Sequence, residues 1–427
     1  MRRALAAVSL AALALAAGAP GAPAAVNVVS LAGDTNGDFA DGFGTVARFN
    51  GPAGLALDAD GNILVADQYN KRIRRVTPAG EVTTIAGNSE GNADDGLGTA
   101  ASFNNPHGVE AGPFGQIFVA DYQNGLLRRI DSAGYVTRVP GGFYNQPRDV
   151  AVGRDGVLYV AEGSSGWVER VIPSTGARRV LATGLREPMG IAVDARNNLY
   201  VSDFGSQQIV KILPTGRRFV LAGQGNYGVQ DGATGVATFG RPAGVALDAA
   251  GCVYVADIAT HRIRRVTPYG YVQTLAGGHE GFDEGPGHLA RFDGPIGIVP
   301  APGGIVYVGD SHNQRIRKLS GVTPCPAGLP TRRIALSRAS MLASGVFASC
   351  GTNQPATCSW TLTVAGRRAG YARTFVSYSG RKGFRVRLSP FGRALLAARR
   401  PATVVLRGYV GDAAGTRLVF QQISLVR

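Results

Sequence analysis

FNGPAGLALDADGNILVADQYNKRIRRV, residues 49–76, decides the fold, because the chain repeats it. The other copies are FNNPHGVEAGPFGQIFVADYQNGLLRRI from 103, YNQPRDVAVGRDGVLYVAEGSSGWVERV from 144 and LREPMGIAVDARNNLYVSDFGSQQIVKI from 185. FGRPAGVALDAAGCVYVADIATHRIRRV from 239 and FDGPIGIVPAPGGIVYVGDSHNQRIRKL from 292 complete the set. Each holds three short runs of alternating or β-branched apolar residues separated by turn residues, which predicts consecutive antiparallel strands. A fourth strand is expected after most copies, at 81–86, 135–139, 178–181, 217–221 and 271–276. Four strands per unit at a spacing of 41 to 54 residues predict propeller blades, six in number.

The sixth copy lacks a fourth strand of its own. Residues 26–32 (VNVVSLA) read like the fourth strands VTTIA and VQTLA. They are therefore expected to pair into blade six, closing the ring and removing an open edge. The recurring pattern Pro-x-Gly-[Val/Ile/Leu]-Ala-[Val/Leu]-Asp, then Tyr-Val-Ala-Asp, then Asn-x-Arg-Ile resembles the NHL repeat over residues 26–320. That resemblance implies a six-bladed all-β propeller. It implies little chemistry, since the fold hosts binding modules and unrelated enzymes alike.

Outward from the repeat, the ends differ in character. Arg2 and Arg3, an Ala/Leu/Val run from Ala4 to Ala17 and the small residues Ala22-Pro23-Ala24 read as an export signal over residues 1–25. No later stretch reaches about 18 residues without charge, so no transmembrane segment is expected. From Val322 onward there are 16 Lys+Arg against one acid, Asp412, whereas the middle of the chain is nearly balanced. The net charge of +15 thus belongs to the tail.

After a linker at 321–330, residues 331–427 carry six or seven strand-like runs, with a short helix or turn at 391–398. They resemble small immunoglobulin-like β-sandwich modules of exported bacterial proteins. The Arg residues either keep faces and edges soluble or adhere to an anionic cell-envelope surface. Export makes nucleic acid an unexpected partner.

Four Cys in an exported chain suggest disulfides. Cys350 and Cys358 flank the turn-rich GTNQPAT and are expected to close a hairpin. Cys252 and Cys325 then form the second pair, clamping the linker to the propeller bottom.

On the face called the top, where fourth strands run to the next first strand, the loops before blades one, two, five and six are long and alike. Those before blades three and four are short. Either this makes a cup open toward blades three and four, or the long loops merely cap the ring. The repeated acids Asp67, Asp121, Asp203, Asp257 and Asp310 are expected to bind hairpin backbone N–H groups. Arg72, Arg74, Arg262 and Arg264 are expected on a solvated blade face.

Positions that break the repeat are the candidate site. The residue after the repeated Pro is His107, Arg148 and Met189 in three consecutive blades. Blade three also has Asp149 for the repeated Gly, Glu162 for the repeated Asp, and Trp167. His107, Arg148, Asp149, Glu162 and Met189 are the candidate ligand-binding residues; the alternative is drift within the repeat. Peptidyl-amidoglycolate lyases, which resemble this fold, carry zinc on three His, and only His107 matches. Gluconolactonase-like propellers use Glu, Asn and Asp around a divalent cation, and only Asp149 matches. At 34–38, DTNGD spaces oxygen ligands as a calcium loop does, but Phe39 stands where the turn Gly belongs. The leading expectation is an extracellular binding or scaffold protein taking a protein, peptide or glycan, without cofactor; the rival is a metal-assisted lyase or lactonase.

Overall fold

The computed structural model describes residues 26–325 in full and the backbone of strands lying between 346 and 424. Residues 26–325 form six antiparallel sheets around one axis. Blade one runs outward through Pro52–Leu57, Ile63–Asp67, Arg72–Val76 and Glu81–Ala86, and the others repeat the plan. The second strand of blades one to five is buried along its whole length, as in Ile63–Asp67 and Val253–Asp257, and that of blade six from Val306 on. Both of its faces meet neighbouring blades, so its residues read as a nearly continuous apolar run ending in one acid, Asp in five blades and Glu162 in blade three.

The ring closes as the repeat requires. Asn27–Ala32 pairs antiparallel with Arg315–Ser320, in the register Asn27 to Ser320, Val28 to Leu319 and Val29 to Lys318. Val28 and Ala32 are buried by this pairing.

The long top loops do something the sequence did not suggest. Gly42–Phe43 pairs with Glu81–Ala86, Gly96–Leu97 with Tyr135–Arg138, and Gly285–Pro286 with Asn27–Ala32. Three blades thereby gain a fifth, outer strand that covers the exposed edge. Each loop then turns inward and seats a buried Phe, at Phe49, Phe103, Phe239 and Phe292.

The third-strand arginines correct the expectation of a solvated face. Arg74, Arg128, Arg264 and Arg317 are completely buried, while Arg72 and Arg262 lie half-buried at the rim. In each case one guanidinium nitrogen meets the repeated acid, Asp67, Asp121, Asp257 or Asp310, at 2.6 to 3.5 Å. Arg74 also donates to the loop carbonyls of Ala40 and Arg48 and to the Asp41 carboxylate. The same acid takes a backbone N–H from the approach to the inner strand, Asn50 in the case of Asp67. A buried charge survives when it is paired and hydrogen-bonded, and here the repeat and its long loop together supply partners for both terminal nitrogens of each guanidinium, while Nε is left without one among the described residues. Loop length and buried Arg therefore occur in the same four blades.

Cys252 and Cys325 form a disulfide that ties the chain leaving blade six to blade five. Among the described residues no helix is long and apolar enough to cross a membrane. The export segment at 1–25 and the segment at 391–398 lie outside the described residues. Six tail strands pair in the order Val346–Thr352, Gly380–Leu388, Arg367–Val376, Ala356–Val364, Thr403–Asp412, Gly415–Ser424. Cys350 stands on Val346–Thr352 and Cys358 on Ala356–Val364, two strands that pair with other partners. Their thiols fall outside the described residues.

Candidate functional site

Each inner strand starts at the top with Pro and carries Gly two residues later, at Gly54, Gly108, Gly190, Gly244 and Gly297. A Cβ at Gly54, Gly190, Gly244 or Gly297 would run into the backbone of the next inner strand. The Gly ring is thus how six strands reach the axis so closely. Blade three breaks the ring with Asp149, whose carboxylate occupies that inter-strand contact. Its oxygens accept the N–H of Val150 and, across the blade boundary, of Ile191, both at 2.9 Å.

The inner strands enclose a cavity of about 290 Å³ along the axis. It passes the Gly ring and continues to the strand ends at Leu57, Val152, Val193, Leu247 and Pro300. His107, Asp149 and Met189 line it; Arg148 and Glu162 do not. The five candidate residues are therefore divided among three places.

His107 is buried, and its Nδ1 lies 2.8 Å from the carbonyl oxygen of Arg148. A carbonyl only accepts, so Nδ1 carries the proton and Nε2 keeps its lone pair. Burial, reinforced by the Arg148 charge, holds the imidazole down to about 4, against the raising influence of that carbonyl. Asp149 is pushed up to about 7 by burial, against its two backbone donors.

Arg148 points to the top surface. Its guanidinium lies 4.3 Å from the centre of the Tyr122 ring and 3.4 Å from a Glu187 oxygen. Glu187 holds a left-handed backbone (φ 62) immediately before Pro188, a costly conformation for a side-chain-bearing residue. Tyr122, Arg148 and Glu187 thus join blades two, three and four across the top. Phe143 and Trp167, exposed in blade three, stand on the same face.

Glu162 is turned into blade three. Its repeat partner there is Glu169, in the place of the buried Arg of other blades, and the charges are inverted. Arg178 from the outer strand supplies the cation, 3.2 Å from Glu162 and 2.6 Å from Glu169. Arg178 also donates to the carbonyls of Gly141 and Phe143 and stacks on Tyr144. Glu162 therefore does the structural work of Asp67 with a relocated Arg.

Sequence reading passed over Glu110, which lines the cavity from blade two. The signal was present: the same position is Ala56, Ala151, Ala192, Ala246 or Val299 elsewhere. Burial, with Asp149's charge adding, pushes Glu110 up to about 8. As for metals, the only three His, Cys, Asp or Glu donor atoms within 4.8 Å of one another among the described residues are those of Asp248, Cys252 and Cys325. Two of these are disulfide sulfurs. The Asp34 and Asp38 carboxylates of the calcium-like loop are both engaged by Arg48.

Residues 141–289 match the Teneurin NHL domain model and residues 49–76 the NHL repeat model. The chain is similar to NHL repeat-containing protein 2 of Bos taurus, 40% identical over 97 residues, covering 21% of this chain and 13% of that protein. It is similar to protein SUPPRESSOR OF QUENCHING 1, chloroplastic, of Arabidopsis thaliana, 35% identical over 92 residues, covering 21% of this chain and 9% of the other. The chain thus spans about a tenth of the length of these curated relatives. Among solved structures it resembles an auxiliary nutrient binding protein from Bacteroides thetaiotaomicron VPI-5482, with 20% identity and TM-score 0.58 over 69% of this chain and 76% of that one. The described ring is a six-bladed β-propeller, and two stretches of it match NHL models.

Proposed function

We propose that this is an exported binding protein whose propeller takes a protein, peptide or glycan on its top face. The basic residues 331–427 would fold as a β-sandwich and hold it against an anionic cell-envelope surface. The observation that carries the reading is the strip Tyr122–Arg148–Glu187 with exposed Phe143 and Trp167, where the loops are short. Aromatic faces beside a guanidinium and a carboxylate are the groups that bind sugars and peptides at a wet surface. The nutrient-binding description of the Bacteroides neighbour is compatible with a small extracellular ligand; at 20% identity it speaks to the fold.

The full mature chain, screened on glycan and peptide arrays and against envelope extracts, provides the test. Tyr122→Ala with Arg148→Ala is expected to weaken top-face binding at least tenfold while leaving the melting temperature nearly unchanged. Retention of all binding by this double variant removes the reading. Repeating the extract capture in high salt isolates the tail: adhesion through Arg should fall steeply as charge is screened.

A further inference from the structure

The top face is electrically uneven, and its cationic stretch coincides with its low side. Residues 33–48 carry three acids and one base, residues 87–102 three acids and no base, and residues 277–291 three acids and one base. These are the long loops that wall the face at blades one, two and six. The short loops differ: residues 139–147 hold no charge, and residues 182–187 hold Arg186 and Glu187. Arg148 and Arg241 flank them at the top ends of the inner strands of blades three and five. Arg148 meets Glu187, whereas Arg186 and Arg241 are exposed and make no ion pair among the described residues. Three Arg thus stand against one exposed Glu where the walls are low.

Contacts join these residues into one strip across four blades. The Arg148 guanidinium lies 4.3 Å from the centre of the Tyr122 ring and 3.4 Å from Glu187. The backbone N–H of Phe204 donates to the Glu187 carbonyl at 3.3 Å, and the Arg241 guanidinium lies 5.3 Å from the centre of the Phe204 ring. Each end of the strip is therefore a cation beside an aromatic ring, and Phe143 and Trp167 add two exposed rings from blade three. Flat rings stack on the apolar faces of sugars, while a guanidinium takes a carboxylate through paired N–H donors. A peptide is served less well. The N–H groups of Gln123, Gly163 and Gly205 already bond the carbonyls of Asn104, Gln146 and Arg186, so these turns offer no open edge to an added strand.

Resting on the reading that the top face binds a ligand, we infer that this ligand is a carboxylated glycan, a chain of uronic-acid sugars whose rings lie on the exposed aromatics and whose carboxylates meet Arg148, Arg186 and Arg241. The acidic loops repel such a chain from blades six, one and two and leave it the low gap at blades three and four. Glu187 sets the specificity. As the exposed acid of the strip it holds Arg148 in competition with a carboxylate of the glycan, so a ligand without charge has nothing to gain by displacing it.

The test is titration calorimetry of the full mature chain with hexagalacturonate, its methyl ester and hexaglutamate. The ester keeps the sugar rings and removes the charges; hexaglutamate keeps the charges and removes the rings. The expected result is hexagalacturonate binding about tenfold tighter than either, and weakening severalfold as added salt screens the carboxylates. Arg186→Gln with Arg241→Gln should lose about tenfold at an unchanged melting temperature, whereas Glu187→Gln should tighten binding about threefold. An ester bound as tightly as the acid, and lost in Tyr122→Ala with Arg148→Ala, overturns the carboxylate assignment and leaves the top-face reading standing. Full binding retained by that double variant overturns both. Hexaglutamate matching hexagalacturonate, no binding of hexagalacturonate, or binding untouched by the Arg186 and Arg241 substitutions, which would assign it to the basic tail, each overturns the inference.

Discussion

Arg74, Arg128, Arg264 and Arg317 show how a residue's neighbours decide what its charge does. On a strand listing of polar and apolar positions they read as outward-facing, yet each is fully enclosed and stacks at 5.1 to 5.3 Å over the buried Phe that ends its loop. Their charge is tolerated because a guanidinium can donate to an acid and two carbonyls in one plane. Blade three reaches the same result with the acid and base exchanged between strands. Removing Arg178 leaves Glu162 and Glu169 facing each other with no cation. Arg178→Met is thus expected to destabilise by about 3 kcal/mol, since breaking a buried pair strands the remaining charge. Denaturant melts should show Glu162→Gln in the same background recovering part of the loss. No recovery would mean Arg178 acts only through the 141–143 loop.

At the scale of elements, the first described strand matters more than its six residues suggest. Asn27–Ala32 carries the outer edge of blade six and itself supports Gly285–Pro286. Deleting residues 26–32 is expected to open the ring, expose Ile316 and Leu319, and replace one cooperative thermal transition by a broad or lower one. A deletion variant melting like the parent would show that the closure is dispensable. The short edge strands in the long loops explain why loop length follows the blade. A loop that must cover an outer edge, deliver Asp41 or its counterpart to a buried Arg, and seat a Phe needs about sixteen residues; the short loops before blades three and four leave those tasks undone or pass them to Arg178. Such a division of labour was visible as covariation within one chain, but its cause was not.

For the whole molecule, the channel couples stability to pH. Glu110 and Asp149 stand at about 8 and about 7 in the folded ring, against 4.5 and 3.8 as model values. Between about pH 4 and 8 the folded chain holds protons that the unfolded chain has lost, so these groups make stability fall as pH rises through that window. His107, held down to about 4, works oppositely and costs stability as pH falls from 6.5 toward 4. The net expectation is a stability maximum on the mildly acidic side. Glu110→Ala should flatten the decline above it, with a gain on the order of 2 kcal/mol at pH 8 once partial exposure to the channel is allowed for. Melting temperatures of parent and variant at pH 5 and pH 8 measure this; parallel curves would show that Glu110 is not buried enough to matter.

Blade number, the strand that closes the ring and the Cys252–Cys325 bridge followed from the chain alone, because a repeat states its own period and each blade is built from local antiparallel pairing. The candidate site was legible only in part. The odd residues His107, Asp149 and Met189 stood out by their departure from the repeat, and all three line the channel. Glu162 departs just as plainly and lies elsewhere, since its place is set by Arg178 arriving from sixteen residues away on another strand. Which polar side chains face the axis, and which are closed between sheets, depends on how six blades tilt against one another. That packing is a property of the ring, and no single copy of the repeat contains it.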